Sequence, residues 1–301
     1  MTNADVDERI IGTYHSGNAG PLLWITAAVH GNEPSGVIAL KRVFEALNEQ
    51  NPQIKGTVVG VIGNTKALQE KVRFIDEDLN RTWTDDNLNE KNKTTNETRE
   101  MFQIIDVLEK FSKNHDKRYF IDCHTTSSDS LPYISVQEVG DNDAWAQQFP
   151  IHRIRGFSDI VDGTIDGYFS EKGLNGFTVE AGQHESKASR TYHEGVIWFA
   201  LENVCALNMN DLHSKPEALI KTKNDTPTPK TFKIIYRFGL EAKDDFKMNP
   251  GFENFQPISK GEPLATLNGE PITSNWDAFI FMPLYQAQGN DGFFVVAEVP
   301  Q

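Results

Sequence analysis

The stretch 25-ITAAVHGNEPSG-36 decides how the rest of the chain is read. Its first half is apolar and β-rich; its second half turns abruptly polar at His30, Asn32 and Glu33, with Pro34 where a first-turn proline is tolerated. Downstream, Val37, Leu40, Phe44 and Leu47 recur at the three-to-four spacing of a buried helical stripe. The polar group thus sits where a strand ends and a helix begins. In open α/β sheets such junctions form the crevice that takes ligands.

The pattern repeats along the chain. "TVVGVIGN" leads into a loop around Asp76, "RYFI" ends in Asp122-Cys123-His124, and "GFTV" ends in Glu180. This alternation predicts an α/β fold with a mainly parallel central sheet flanked by helices. The polar stretch 84-TDDNLNEKNKTTNE-97 reads as a surface excursion closed by a Thr94-x-x-Glu97 capping box, which opens a helix through Met101, Ile104 and Leu108. Residues 214–230, rich in Lys, Thr, Asn, Asp and Pro, read as a linker. They would separate a catalytic domain, 1–213, from a small C-terminal all-β domain, 231–301, whose short alternating runs are spaced by Gly, Pro and Asn.

The chain has 301 residues and a formal net charge of -14, so nucleic acid and anionic membrane surfaces would be repelled. The start, MTNADVDERI, has neither the basic end nor the apolar run of a secretory signal, and a cytoplasmic location is expected. Cys123 and Cys205 are too few for a disulfide framework and are expected to pack as thiols.

His30, Glu33 and His124 follow separate strands, and two imidazoles with one carboxylate are a common ligand set for catalytic zinc. Alone, His-x-x-Glu is weak evidence, because Glu33 also suits a helix N-terminus. Its coincidence with His124 and Glu180 at strand ends favours a metal site.

At this point the residues resemble a known family. His-Gly-Asn-Glu at 30–33, Arg-Phe-Ile-Asp-Glu-Asp-Leu-Asn-Arg at 73–81, Asp-Cys-His-Thr-Thr-Ser at 122–127 and Thr-Val-Glu-Ala-Gly at 178–182 look like the signature blocks of the succinylglutamate desuccinylases and aspartoacylases. These are zinc-carboxypeptidase-like hydrolases with a small C-terminal β domain. The resemblance implies one Zn2+ per chain on His30, Glu33 and His124. It makes Glu180 the proton-handling group and Arg73 the cation facing the developing oxyanion. It also implies that Asn80 and Arg81 bind the substrate carboxylate and that Tyr285 lines the pocket.

In aspartoacylases a further arginine lies ten residues before the catalytic glutamate; here that position is Ser170. Arg153 and Arg155 are out of register for the role, which argues against a dianionic substrate. Asp122 suits either the orientation of a ligand imidazole or a purely structural role, and Asp76 and Asp78 read as loop-stabilising. The expected activity is hydrolysis of a small N-acyl amino acid by a metal-activated water. The rivals are a carboxypeptidase or amidase acting on short peptides, including cell-wall peptides, and a zinc-binding or ligand-sensing module without turnover. A homo-oligomer is compatible with the sequence.

Overall fold

The computed structural model describes residues 8–127, 130–157, 159–225, 228–241, 243–285 and 291–300. Most of the N-terminal stretch read for a leader, residues 1–7, therefore lies outside the described residues.

The first half alternates strands and helices. The strands are β1 (Ile10–Tyr14), β2 (Asn18–Ala27), β3 (Lys55–Ile62), β4 (Arg118–Thr126), β5 (Tyr133–Val136), β6 (His152–Arg155) and β7 (Asn175–Gln183). The helices among and after them are α1 (Ser35–Gln50), α2 (Thr65–Glu70), α3 (Asp85–Asn89), α4 (Asn96–Ser112), α5 (Asn142–Ala146), α6 (Ile165–Glu171), α7 (Lys187–Val204) and α8 (Glu217–Asp225). The chain closes with β8 (Thr231–Gly239), β9 (Phe246–Met248), β10 (Pro257–Ile258), β11 (Pro263–Leu267), β12 (Glu270–Thr273), β13 (Ala278–Phe281) and β14 (Asp291–Val299).

One 11-stranded sheet, in the order β1-β3-β2-β4-β7-β5-β6-β8-β14-β13-β10, runs through both halves of the chain. Alternate residues of β2 face opposite layers: Leu23, Ile25 and Ala27 meet α1 and α7, while Leu22 and Trp24 meet α4 and α6. Both faces of the strand are therefore apolar, as a covered parallel strand requires.

The expectation of a mainly parallel sheet is corrected. β2, β3, β4 and β7 are parallel neighbours, but five of the ten neighbouring pairs are antiparallel, so the sheet is mixed. The reversal comes at β5, which pairs antiparallel with β7. Only six residues, 127–132, join β4 to β5, too few for a crossover that returns the chain to the sheet's other end.

Beyond β6 the C-terminal strands extend the same sheet. β8 pairs in parallel with β6 through Ile154↔Phe232, and β14, β13 and β10 follow by antiparallel pairing. A three-stranded sheet, β12-β11-β9, packs over them on a core that includes Leu264, Ile280 and Phe293. The alternate residues Phe294 and Val296 face the other way and join Tyr133, Ile154 and Phe232 in a core at the seam. Within 214–230, Glu217–Asp225 form α8, whose buried Ala218, Leu219 and Thr222 supply an apolar face. No helix among the described residues is long and apolar enough to cross a membrane.

Candidate metal centre and active site

The site forms at the carboxyl ends of β2, β4 and β7, where parallel strands deliver residues remote in sequence. After β2, Ala28 adopts φ 56° and redirects the chain into the His30 turn. That turn packs so tightly that a Cβ on Gly31 would lie 2.0 Å from the Ala67 backbone carbonyl carbon, and the Gly31 N–H donates to Arg73 O at 3.1 Å. Only glycine fits there, and it ties the first motif to the second.

His30, Glu33 and His124 are buried together, with one ligand atom from each within 4.8 Å of the others. Nδ1 of His30 lies 2.9 Å from Glu33 Oε1, and Nδ1 of His124 lies 3.4 Å from Glu33 Oε2. The opposite ring nitrogens are taken by carboxylates: His30 Nε2 meets Asp78 at 3.0 Å and His124 Nε2 meets Asp122 at 2.7 Å. Both imidazoles are therefore held with Nδ1 facing Glu33. Two nitrogens and a carboxylate oxygen, all buried and converging, fit a divalent cation such as zinc.

The electrostatics keep Glu33 ionised and share a proton between it and His124, which a bound cation would displace. Burial pushes the Glu33 carboxyl up, but the neighbouring His30 and His124 outweigh it and hold the group well below its usual range. The Thr125 N–H also donates to Glu33 Oε2 at 2.7 Å. Burial favours neutral His124, yet Asp122 and Glu33 raise it well above an ordinary imidazole.

Glu180 is carried by β7 directly opposite His124 of β4. Its Oε2 is buried with no hydrogen-bond partner among the described residues, and burial pushes its carboxyl up to about 8, with Glu33 adding to the rise while His124 and Arg73 oppose it. Arg73 lies 3.7 Å from Glu33 and 3.0 Å from Asp78.

Two connected cavities share these groups. The outer one, about 550 Å³, is lined by His30, Glu33, His124, Glu180, Arg73 and Thr125 to Ser127. The inner one, about 120 Å³, adds Asn80, Ser135, Gln137, Thr164, Asp166 and Thr178. Arg81 lines both cavities, and desolvation lowers its pKa although Asp78 and Asp291 face it. Asn80 Oδ1 accepts the Ile165 N–H at 2.9 Å, which joins the 73–81 loop to the start of α6.

The structure thus brings together His30, Glu33, His124, Glu180, Arg73, Asn80 and Arg81. It does not bring Tyr285 into either cavity: its hydroxyl donates to Asn249 O at 2.8 Å and accepts the Phe252 N–H at 2.9 Å. Ser170 is buried, bonded to Asn142 and the Asp166 carbonyl. Arg155 is paired with Asp143 at 2.6 Å, and Arg153 reaches Thr231 at 2.7 Å.

Several contributors escaped the sequence reading. Asp78, read as loop-stabilising, does accept the Asn80 N–H at 2.9 Å, but it also faces His30 across 48 residues, which was not expected. Asp166 and Gln137 depend on how α6 and β5 return to the site. Met282, Asp291 and Phe294 come from the C-terminal strands and loops and complete the wall of both cavities. Glu97 is fully buried and receives the N–H groups of Ile75, Asp76 and Glu77 at 2.8, 3.1 and 3.3 Å, so it holds the 73–81 loop. It is not part of the expected capping box: α4 is capped by Thr95, with Thr98 reciprocating.

Residues 19–195 match the sequence model of the succinylglutamate desuccinylase/aspartoacylase catalytic domain. A succinylglutamate desuccinylase of Shewanella denitrificans is 25% identical over 265 residues, covering 82% of this chain and 72% of that protein. An N-acyl-aromatic-L-amino acid amidohydrolase (carboxylate-forming) of Xenopus tropicalis is 24% identical over 278 residues, with 85% of each chain covered. A solved succinylglutamate desuccinylase/aspartoacylase structure from Rhodobacter sphaeroides superposes with a TM-score of 0.69 at 16% identity, covering 94% of this chain and 87% of that one.

Proposed function

Because the chain belongs to the succinylglutamate desuccinylase/aspartoacylase family, we propose that it is a zinc-dependent hydrolase that releases an amino acid from a small N-acyl amino acid. The observation that carries this reading is the buried His30–Glu33–His124 group with a Glu180 carboxylate oxygen beside it that has no partner among the described residues. A site built only to hold a metal has no use for a second, basic carboxylate at that position.

His30, Glu33 and His124 would hold the metal, which when bound lowers the pKa of water and polarises a carbonyl. Glu180 in its ionised form takes the proton from the attacking water as oxygen bonds to the acyl carbon, and the burial that raises its carboxyl to about 8 makes it a stronger base than an ordinary carboxylate. The same carboxyl returns that proton to the amide nitrogen as the C–N bond breaks, giving a carboxylate and a free amine. Arg73 sits where a fixed cation can face the oxygen that gains charge. Asn80 and Arg81 hold the carboxylate of the amino-acid half, with the guanidinium forming paired hydrogen bonds. In the division into a catalytic part, 1–213, and a C-terminal part, 231–301, the first then carries the chemistry and most of the pocket, and the second adds wall through Met282, Asp291 and Phe294.

The test is a hydrolysis screen of zinc-loaded protein against N-acyl amino acids, dipeptides and tripeptides, with zinc content measured in parallel. N-acyl amino acids are expected to be cleaved, and Glu180→Gln to lose about 10²- to 10⁴-fold in kcat with its zinc retained. Cleavage of peptides alone would move the assignment to a carboxypeptidase. Absence of bound zinc, or full activity in Glu180→Gln, would sink the mechanism.

A further inference from the structure

Asp166 is 5% exposed and lines the inner cavity, yet no Lys, Arg or His among the described residues pairs with it. Its Oδ2 accepts Gln137 Nε2 at 3.0 Å and its Oδ1 accepts the N–H of Gly167 at 2.9 Å. The nearby buried acid, Asp122, is already committed to His124 and adds like charge. Among the described residues the Asp166 carboxylate is thus held by an amide and a backbone N–H and forms no ion pair.

The rest of the inner cavity suits a cationic group. Ser135 and Thr178 lie opposite each other in the β5–β7 register, and with Thr164 they offer hydroxyl oxygens around Asp166. Asn80 and Arg81 line the same cavity, whereas Phe74, Pro283 and Leu284 line only the outer one. The carboxylate clamp and Asp166 consequently address the same half of the substrate.

Resting on the hydrolase reading above, we propose that Asp166 is a specificity determinant that pairs with a positively charged side chain, so that the preferred substrates are N-acyl derivatives of basic amino acids. Arg81 takes the α-carboxylate and Asp166 the terminal ammonium or guanidinium. Anionic side chains are rejected by repulsion, and apolar ones leave Asp166 buried without a counter-charge.

The experiment compares kcat/KM of the zinc-loaded protein on Nα-acetyl-lysine and Nα-acetyl-ornithine with Nα-acetyl-norleucine and Nα-acetylglutamate, in the wild type and in Asp166→Asn. The wild type is expected to favour the cationic substrates by about 100-fold or more over norleucine, and Asp166→Asn to reduce that ratio below about 5. A purely structural Asp166 would lower the melting temperature and leave the ratio unchanged. Hydrolysis without a cationic preference, or a preference that survives in Asp166→Asn, overturns the proposal and leaves the hydrolase reading standing. If no compound is cleaved, the hydrolase reading fails, and calorimetric binding of Nα-acetyl-lysine against Nα-acetyl-norleucine decides for Asp166. Tenfold tighter binding of the lysine compound, lost in Asp166→Asn, supports the proposal; equal binding overturns it.

Discussion

At the residue scale, the arrangement around His30 and His124 assigns each ring nitrogen its own task. Asp78 and Asp122 take Nε2, so Nδ1 of each ring is the nitrogen that a cation would engage, displacing any proton shared with Glu33. Replacing either carboxylate by Asn removes the charge that makes the imidazole a better donor, while the shape is nearly kept. Asp122→Asn and Asp78→Asn are each expected to weaken zinc binding by about 10- to 100-fold, measured by competition with a chelator. An unchanged affinity in both would show that the two aspartates only pack. His30, Glu33 and His124 were legible because each lies within four residues of the end of an apolar run, where local pattern alone reports a strand nearing its end. Asp78 was not, since nothing local tells that its loop returns over His30.

At the scale of elements, the 73–81 loop is held by the start of α4. Glu97 accepts three of its backbone N–H groups and the Asn64 amide, Asp76 accepts the Asn96 N–H at 2.7 Å, and Glu77 accepts the Thr95 hydroxyl at 2.6 Å. Burial pushes the Glu97 carboxyl up, but these donors outweigh it and leave it below its ordinary range. Glu97→Gln puts an NH2 group among donors, so about 2 kcal/mol or more of stability should be lost, read from the urea midpoint. Arg73, Asn80 and Arg81 ride on that loop, and kcat/KM should fall by at least tenfold as well. Loss of stability with unchanged kcat/KM would show that the loop keeps its shape without Glu97. The sequence announced a capping box here and chose the wrong threonine: Thr94 and Thr95 are adjacent and equally suitable caps. Only the packing against residues 75–77 diverts Glu97 to another use.

At the scale of the whole molecule, the seam between β6 and β8 joins the two halves of the chain. His152 sits at this seam, its Nδ1 accepting the Lys230 N–H at 3.0 Å, its ring against Phe232 and Phe255. Burial, with the Lys230 charge adding to it and Glu298 opposing, lowers its pKa below the ordinary 6.5. The unfolded chain therefore binds this proton more readily than the folded one. The stability His152 contributes is complete above about pH 6.5 and is lost as pH falls from there toward its depressed value. Between pH 7.5 and 5.5 the melting temperature of the wild type should fall further than that of His152→Asn; equal falls would remove His152 from the account.

The continuity of the sheet across this seam was not legible in the sequence. Short alternating strands after a Pro- and Lys-rich stretch look the same whether they form a separate domain or extend an existing sheet. The difference rests on pairing such as Ile154↔Phe232, between residues 78 apart. The same long-range pairing brings Asp291 and Phe294 to the cavities, while the family position of Tyr285 falls on a side chain bonded to Asn249 and Phe252.

The shared wall carries an evolutionary consequence. The groups that would break the bond come from the ends of β2, β4 and β7 and the 73–81 loop, whereas Met282, Asp291 and Phe294 come from a hairpin that carries none of them. Changes in that hairpin can reshape what is admitted without disturbing a metal ligand. That part of the pocket wall and the bond-breaking groups are thereby written on different stretches of the gene and are free to drift at different rates.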